Sequence, residues 1–341
     1  MKPALVESPA LAAPLVDALG RVHTNVRISV TDRCNIRCFY CMPAEKVEFR
    51  PRAEILTFEE IERLVHVLAG MGVRKVRLTG GEPLVRHGLP VLVRKLVQVP
   101  GIEEVALTTN GVLLAKQAVL LKQAGLRRLN ISLDTLDRET FKKISRRDEL
   151  EHVLEGIFAA KQAGFERIRL NSIAIRGLTE PEVVRLVGFA REHDFEMRFI
   201  EYMPLDADGL WDHEQVLSGN EIRRLLEQEF GPLVPRAVED PSQPATDFSF
   251  ADGGGRVGFI NPVTQPFCGR CNRLRLTAEG KVRNCLFSTV EWDARALLRG
   301  GASDKELDEL VRACVAAKKA GHGIDSSDFV KPERAMYQIG G

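Results

Sequence analysis

Six of the seven cysteines fall into two triplets, Cys34/Cys38/Cys41 and Cys268/Cys271/Cys285. In the first, C-x3-C-x2-C, three thiolates within eight residues can turn toward one metal centre from a single loop. Fully ligated iron–sulfur clusters take four cysteines, so a triplet leaves one iron open. A catalytic zinc site keeps a position free in the same way, and an open iron can bind a substrate or cofactor. The second triplet, C-x2-C-x13-C, also lacks a fourth ligand. Cys314 stands in a helical pattern with Leu307, Leu310 and Val311 and is read as a small buried hydrophobe. The other reading of each triplet is a zinc ion completed by a non-cysteine ligand, although no second Cys pair or His stands at finger spacing beside Cys34–Cys41.

Around these cysteines lie further polar motifs. Thr79-Gly80-Gly81-Glu82-Pro83 follows a strand, where glycines would let the backbone approach a ligand and Glu82 could meet a positive group. Thr108-Thr109-Asn110-Gly111, Ser132-Leu133-Asp134, Asn171 and Glu201 to Met203 close successive strands. Basic residues alternate with apolar ones along those strands: Arg27, Lys75, Arg77 and Arg169, joined by Arg273 and Arg275 on either side of Leu274. Buried cations without counter-charge are costly, so an anion is implied. Arginine forks match phosphate oxygens, which makes a nucleoside triphosphate the natural candidate.

The elements that must position these residues repeat along the chain. Strands are expected at Val26–Thr31, Lys75–Thr79, Val105–Thr109, Leu129–Asp134, Ile168–Ile175 and Glu196–Tyr202. Helices are expected near 57–70, 86–98, 112–124, 150–163 and 179–193, with Gly70, Gly125 and Gly164 at helix ends. Six β/α units imply a parallel sheet. Each strand sets a polar face against an apolar one, as in Arg27/Ser29/Thr31 against Val26/Ile28/Val30. A doubly wound sheet would be apolar on both faces. A partial (β/α)6 TIM-like barrel with a wet lumen fits better, and barrel active sites lie at the C-terminal strand ends. The parity blurs at the sixth strand, where Arg198 and Met203 fall on opposite faces, so a bend or strand end is expected there.

The repeat ends after residue 204. A helix near 219–229, a Pro- and Asp-containing stretch at 235–246, short strands and a helix near 303–319 form a smaller C-terminal domain carrying the second cluster. The expected division is an N-terminal extension at 1–22, the barrel at 23–235 and the C-terminal domain at 236–341. The terminal Tyr337-Gln338-Ile339-Gly340-Gly341 reads, by position alone, as a frayed end.

The 341 residues are 44% hydrophobic and 28% charged, ordinary for a globular protein. A net charge of +1, from 48 basic and 47 acidic residues, supplies no bulk field for nucleic acid or an anionic membrane. Pro3, Pro9 and Pro14 interrupt the N-terminus, which is unlike a signal peptide, and no run approaches a membrane span. A cytoplasmic, reducing setting is expected, in which seven cysteines are unlikely to pair as disulfides.

The C-x3-C-x2-C spacing with an aromatic before the last Cys resembles the radical S-adenosylmethionine superfamily, and Gly80-Gly81-Glu82-Pro83 is similar to its GGEP element. With Arg27-Ile28-Ser29-Val30-Thr31-Asp32-Arg33-Cys34, the second triplet with Asn272-Arg273-Leu274-Arg275 and the terminal Gly340-Gly341, the chain resembles the GTP 3′,8-cyclase family of molybdenum cofactor biosynthesis from about residue 20 to the end. That resemblance implies a lyase with two [4Fe–4S] clusters that cleaves S-adenosylmethionine to methionine and a 5′-deoxyadenosyl radical. The radical removes hydrogen from the ribose C3′ of GTP, and C3′ then attacks C8 to give 3′,8-cyclo-7,8-dihydro-GTP. It further implies Tyr40, Gly81, Glu82, Ser132 and Met203 as S-adenosylmethionine contacts. The GTP contacts would be Arg27, Lys75, Arg77, Thr108, Arg169, Arg198, Arg273, Leu274 and Arg275, with guanine at the free iron of the second cluster. Arg273 and Arg275 are counted as catalytic beside Cys34, Cys38 and Cys41. Arg169 is a departure, since the family usually has Lys there, and the forked geometry changes which oxygens it can touch. The Gly-Gly tail would reach into the barrel. A reducing electron donor, cyclic pyranopterin monophosphate synthase as functional partner and a homodimer complete the expectations. A peptide-modifying radical enzyme with an auxiliary cluster, or a non-enzymatic electron carrier, are the alternatives.

Overall fold

The computed structural model describes residues 13–238, 240–324, 326–327 and 329–340. Six parallel strands form its centre: β1 (Asn25–Ser29), β2 (Lys75–Thr79), β3 (Glu104–Thr109), β4 (Arg128–Ser132), β5 (Arg167–Ala174) and β6 (Glu196–Glu201). Between them run α1 (Phe58–Gly70), α2 (Leu89–Val97), α3 (Ala118–Gln123), α4 (Arg138–Ser145), α5 (Leu150–Gln162) and α6 (Val183–Glu192), and α7 (Gly219–Phe230) follows β6. Helix starts are written locally. Thr57 accepts from the Glu60 amide while Glu60 reaches back to Thr57, and Ser218 with Glu221 repeats the reciprocal cap on α7. Two expectations needed correction: 112–124 is a 3-10 turn at Leu114–Lys116 before a short α3, and the polar α4 was not foreseen.

The C-terminal part adds β7 (Leu233–Pro235), β8 (Thr246–Phe250), β9 (Arg256–Ile260), β10 (Arg273–Leu276), β11 (Lys281–Arg283) and β12 (Trp292–Asp293), then α8 (Ala294–Arg299), α9 (Asp304–Ala316) and α10 (Met336–Ile339). All twelve strands belong to one open sheet in the order β12-β11-β10-β1-β2-β3-β4-β5-β6-β9-β8-β7. β10 pairs with β1 and β9 with β6, both parallel, so the six-unit barrel is widened to eight parallel strands by C-terminal segments at both edges. The expected division near residue 235 thus runs through a continuous sheet. The β9–β10 connection carries Cys268 and Cys271.

Side-chain parity within the strands matches the sequence pattern. Val26, Ile28, Val76, Leu78, Leu129 and Leu170 enter one apolar core with the helices, and alternate residues face the lumen. Register adds what parity leaves open: Arg275 stands opposite Arg27, and Arg27 opposite Arg77, so three arginines lie abreast on neighbouring strands. Like charges directly opposite one another in a sheet are destabilising, so this row costs stability wherever no counter-charge stands beside it.

Candidate active site

One cavity of about 470 Å³ runs through the lumen, and both cysteine triplets and the arginine row line it. The first triplet sits on the loop leaving β1. Cys41 and Met42 donate backbone hydrogen bonds to the Cys38 carbonyl, both at 2.9 Å, which curls the loop. The amides of Arg37 and Phe39 bond to Ser145 and Ile144 at the end of α4, so the unforeseen helix is the loop's outer support. Asn110 reaches Cys34 Sγ at 3.7 Å from the end of β3. Burial pushes the Cys34 thiol up to about 11, with Glu82 adding to the effect, and raises Cys38 and Cys41 as well.

Gly80 and Gly81 line the cavity and also meet a packing requirement that the sequence does not show. A Cβ on Gly80 would lie 2.5 Å from the Thr31 carbonyl oxygen, and one on Gly81 would lie 2.4 Å from that of Arg33. The turn packs backbone to backbone against the segment leading into the cysteine loop, with Gly81 N to Thr31 O and Glu82 N to Arg33 O both 2.8 Å. The Glu82 carboxylate is likewise engaged inside the protein. It accepts from the Leu84 amide at 2.9 Å, Thr109 Oγ1 at 2.7 Å and the Asn110 amide at 2.7 Å, tying the ends of β2 and β3 together. Burial raises its pKa to about 7. Tyr40 donates to Asp134 Oδ2 at 2.6 Å, whose other oxygen takes the Ile173 amide, and burial raises Asp134 to about 6. Ser132 and Met203 line the same cavity; β6 ends at Glu201, which accounts for the parity change before Met203.

The basic lumen is less uniform than the sequence implies. Lys75 pairs with Asp240 at 2.7 Å, Arg169 with Glu196 at 2.9 Å, and Arg198 with Glu196 at 2.6 Å and Asp247 at 3.1 Å. Arg128, which sequence reasoning missed although its parity with Asn130 and Ser132 could have found it, pairs with Glu104 at 2.5 Å; its buried Nε has no partner among the described residues. Arg27 and Arg77 have no carboxylate partner among the described residues. Burial and neighbouring arginines push both well below the usual guanidinium range. Thr108 lines the cavity beside them. Leu274 requires a correction: its side chain is fully buried in the apolar core on the opposite face, so only its backbone can face the lumen.

The second triplet is assembled from distant segments. Cys268 opens a 3-10 turn, Cys271 closes it, and Cys285 follows β11. Arg273 donates to Cys271 Sγ at 3.3 Å and lies over the Phe267 ring, and Lys318 approaches the same sulfur at 3.5 Å. Burial alone would raise the Cys271 thiol, but Arg273 and Lys318 outweigh it and bring it to about 6. Arg21 holds the Cys268 carbonyl at 2.8 Å. Arg275 donates to the Gly340 carbonyl, which overturns the frayed-end reading as far as Gly340; Gly341 lies outside the described residues. Gly340 has φ +84°, and a Cβ there would meet Ser29 Cβ at 2.9 Å. Ala335 and Tyr337 pack with Met42 near the first triplet, and Ile339 packs with Leu205 and Phe287 beside Cys285, so the tail lies between the two triplets.

This geometry agrees with three kinds of likeness. The sequence profile of the Radical SAM superfamily matches residues 28–190, and that of Molybdenum Cofactor Synthesis C matches residues 195–324. The GTP 3′,8-cyclase of Rhodopirellula baltica is 54% identical over 96% of this chain and 92% of its own length, and that of Streptomyces coelicolor is 45% identical over 96% of each. Among solved structures, Streptococcus suis SuiB bound to the precursor peptide SuiA superposes with a TM-score of 0.61 at 15% identity, covering 93% of this chain and 76% of SuiB. Native anSMEcpe with bound AdoMet gives 0.56 at 16% identity, covering 92% and 93%. At those identities the structures speak for the fold alone. The near full-length identity goes further: the chain belongs to the radical SAM superfamily and, within it, to the GTP 3′,8-cyclase family.

Proposed function

We propose that the cavity binds GTP between the two triplets and that its side chains divide the work of a GTP 3′,8-cyclase as follows. The carrying observation is the row Arg275–Arg27–Arg77, set abreast in the lumen, with Arg27 and Arg77 lacking carboxylates among the described residues. A triphosphate supplies the missing counter-charge, and each charge-assisted hydrogen bond to it contributes roughly 1.5–3 kcal/mol. Lys75, Arg169 and Arg198 already hold carboxylates, so they reach the phosphates only by exchanging or sharing those partners. Thr108 adds a hydroxyl beside them.

Cys34, Cys38 and Cys41 would hold one four-iron cluster, and Cys268, Cys271 and Cys285 a second. All six thiols line the same cavity. A four-iron cluster presents a separate iron to each thiolate and suits thiols set around a larger centre. With S-adenosylmethionine bound, the first cluster supplies a 5′-deoxyadenosyl radical by one-electron reductive cleavage. Tyr40, Gly81, Ser132 and Met203 line the place where that cofactor would lie. Tyr40 is fixed by Asp134, and Glu82 acts by holding the strand ends rather than by offering a free carboxylate. Arg273 and Arg275, beside the second triplet, orient the nucleotide so that C3′ faces the radical source and C8 stays within reach of C3′. The tail, through Gly340 and Arg275, closes the cavity between the two centres and keeps water from them. The product, 3′,8-cyclo-7,8-dihydro-GTP, would pass to cyclic pyranopterin monophosphate synthase in the cytoplasm.

The test is anaerobic turnover of reconstituted protein with GTP, S-adenosylmethionine and dithionite. Expected are the cyclised product in step with 5′-deoxyadenosine, and iron and sulfide near about eight each per chain, as two four-iron clusters require. Cleavage without cyclised GTP, or zinc in place of iron, would defeat this reading.

A further inference from the structure

Lys318 lies just beyond the C-terminal end of α9 and is buried, with 6% of its surface exposed. Its ammonium is fully engaged: Nζ donates to the Asn284 carbonyl at 2.7 Å, to the Arg273 carbonyl at 3.0 Å and to Cys271 Sγ at 3.5 Å. No carboxylate pairs with it among the described residues. Burying an ammonium against two neutral carbonyls and a neutral thiol is costly unless a negative charge stands there. Of its three partners only the sulfur can carry one.

The two carbonyls also come from different arms of the triplet. Arg273 follows Cys271 on β10, while Asn284 immediately precedes Cys285, and the Asn284 side chain is itself tied to the Cys314 carbonyl at 2.8 Å. One ammonium therefore fixes the distance between the Cys268/Cys271 arm and Cys285, and places a positive charge on the sulfur that joins them to the metal centre. We infer that Lys318 is a positioning residue of the second triplet, spacing its two arms and holding a positive charge against Cys271 that favours the reduced, more negative state of the cluster bound there.

This inference rests on the reading that the second triplet holds a cluster. A positive charge beside a cluster ligand raises the reduction potential, so its removal should lower it. The experiment is potentiometric titration of the reconstituted holoenzyme followed by electron paramagnetic resonance, with iron analysis, for the wild type, Lys318→Met and Lys318→Arg. Methionine keeps the length and loses the charge. Expected is a shift of the second centre in Lys318→Met to more negative potential by about tenfold in the one-electron equilibrium, about 59 mV, with the first centre unmoved and Lys318→Arg near the wild type. Loss of the second cluster's iron in Lys318→Met but not in Lys318→Arg equally supports a role for the charge. An unshifted potential in a fully loaded Lys318→Met protein overturns the inference, as does loss of the second cluster in both variants. A wild-type protein that holds only four irons and one signal instead sinks the two-cluster reading itself.

Discussion

The two cysteine triplets line one cavity yet are built in opposite ways. Cys34, Cys38 and Cys41 come from a single eight-residue loop, curled by its own backbone and braced by the end of α4. Cys268, Cys271 and Cys285 are gathered from two segments and held by residues far away in sequence: Arg21 before β1, Lys318 after α9 and the tail at Gly340. Their electrostatics differ as well. Glu82 and Asp134 stand near the first set, and burial leaves its thiols raised. Arg273 and Lys318 crowd Cys271 in the second and outweigh burial. An electronegative setting suits a centre that must deliver an electron at low potential. An electropositive one suits a centre that must sit beside an anionic substrate. On the proposed function, the first triplet would be a local device for making a radical, and the second a tertiary device for holding what the radical acts on.

The sharpest way to break that comparison is to remove one ligand from each side. Cys38→Ala should abolish reductive cleavage of S-adenosylmethionine, measured as methionine and 5′-deoxyadenosine, because no other group in its loop can replace the thiolate. Cys271→Ala should leave slow cleavage uncoupled from GTP while cyclised product disappears. If both variants lose cleavage equally, the second triplet is not confined to the substrate side.

A smaller effect comes from the arginines. Arg273→Ala removes a charge-assisted contact worth roughly 1.5–3 kcal/mol, so GTP binding by equilibrium dialysis should weaken about tenfold to a hundredfold, with residual uncoupled cleavage. Lys75→Ala should cost less, because Lys75 must give up Asp240 at 2.7 Å to reach a phosphate. Equal losses at the two positions would mean that the carboxylate partners do not compete with substrate, and the basin would be uniformly basic after all.

Much of this was legible in the sequence, for identifiable reasons. Strand parity put Arg27, Arg77 and Arg169 on one face because the period of two is fixed by the backbone, and the cysteine spacings picked out the two triplets that line the cavity. Register was not legible: nothing in the chain says that Arg275 lies opposite Arg27, since that pairing joins residues almost 250 apart. Asp240, which occupies Lys75, and Asp247, which shares Arg198 with Glu196, come from the 235–246 stretch and β8, which read only as a Pro- and Asp-containing stretch and short strands. The Gly-Gly turn was found for its approach to a ligand, while its clearance against the Thr31 and Arg33 carbonyls was not legible, since it depends on packing between two loops. Leu274 was carried over from the family resemblance together with Arg273 and Arg275, but its side chain lies in the core, where parity would have sent it.

The last prediction concerns the anchor that only the second triplet needs. His23, Asp17 and Arg21 form a buried set in which His23 Nε2 lies 3.1 Å from Asp17 Oδ2, and Arg21 pairs with Asp17 at 2.5 Å while holding the Cys268 carbonyl. Burial, with Lys318 nearby, lowers His23 to about 4 from an ordinary 6.5 despite the Asp17 contact. A histidine depressed in the folded state contributes stability that is present above about pH 6.5 and is lost progressively as pH falls toward 4, because the unfolded chain takes up the proton first. The loss should reach about 2 kcal/mol by pH 5. Protection against hydrogen exchange, corrected for the intrinsic rate at each pH, should therefore fall from pH 7 to pH 5 at 14–23 and 268–271 more than at 34–41, and His23→Asn should flatten that difference. Protection lost equally at both cysteine segments would show that the two sites share one anchor, and the contrast between a local and a tertiary centre would fail at the level of stability.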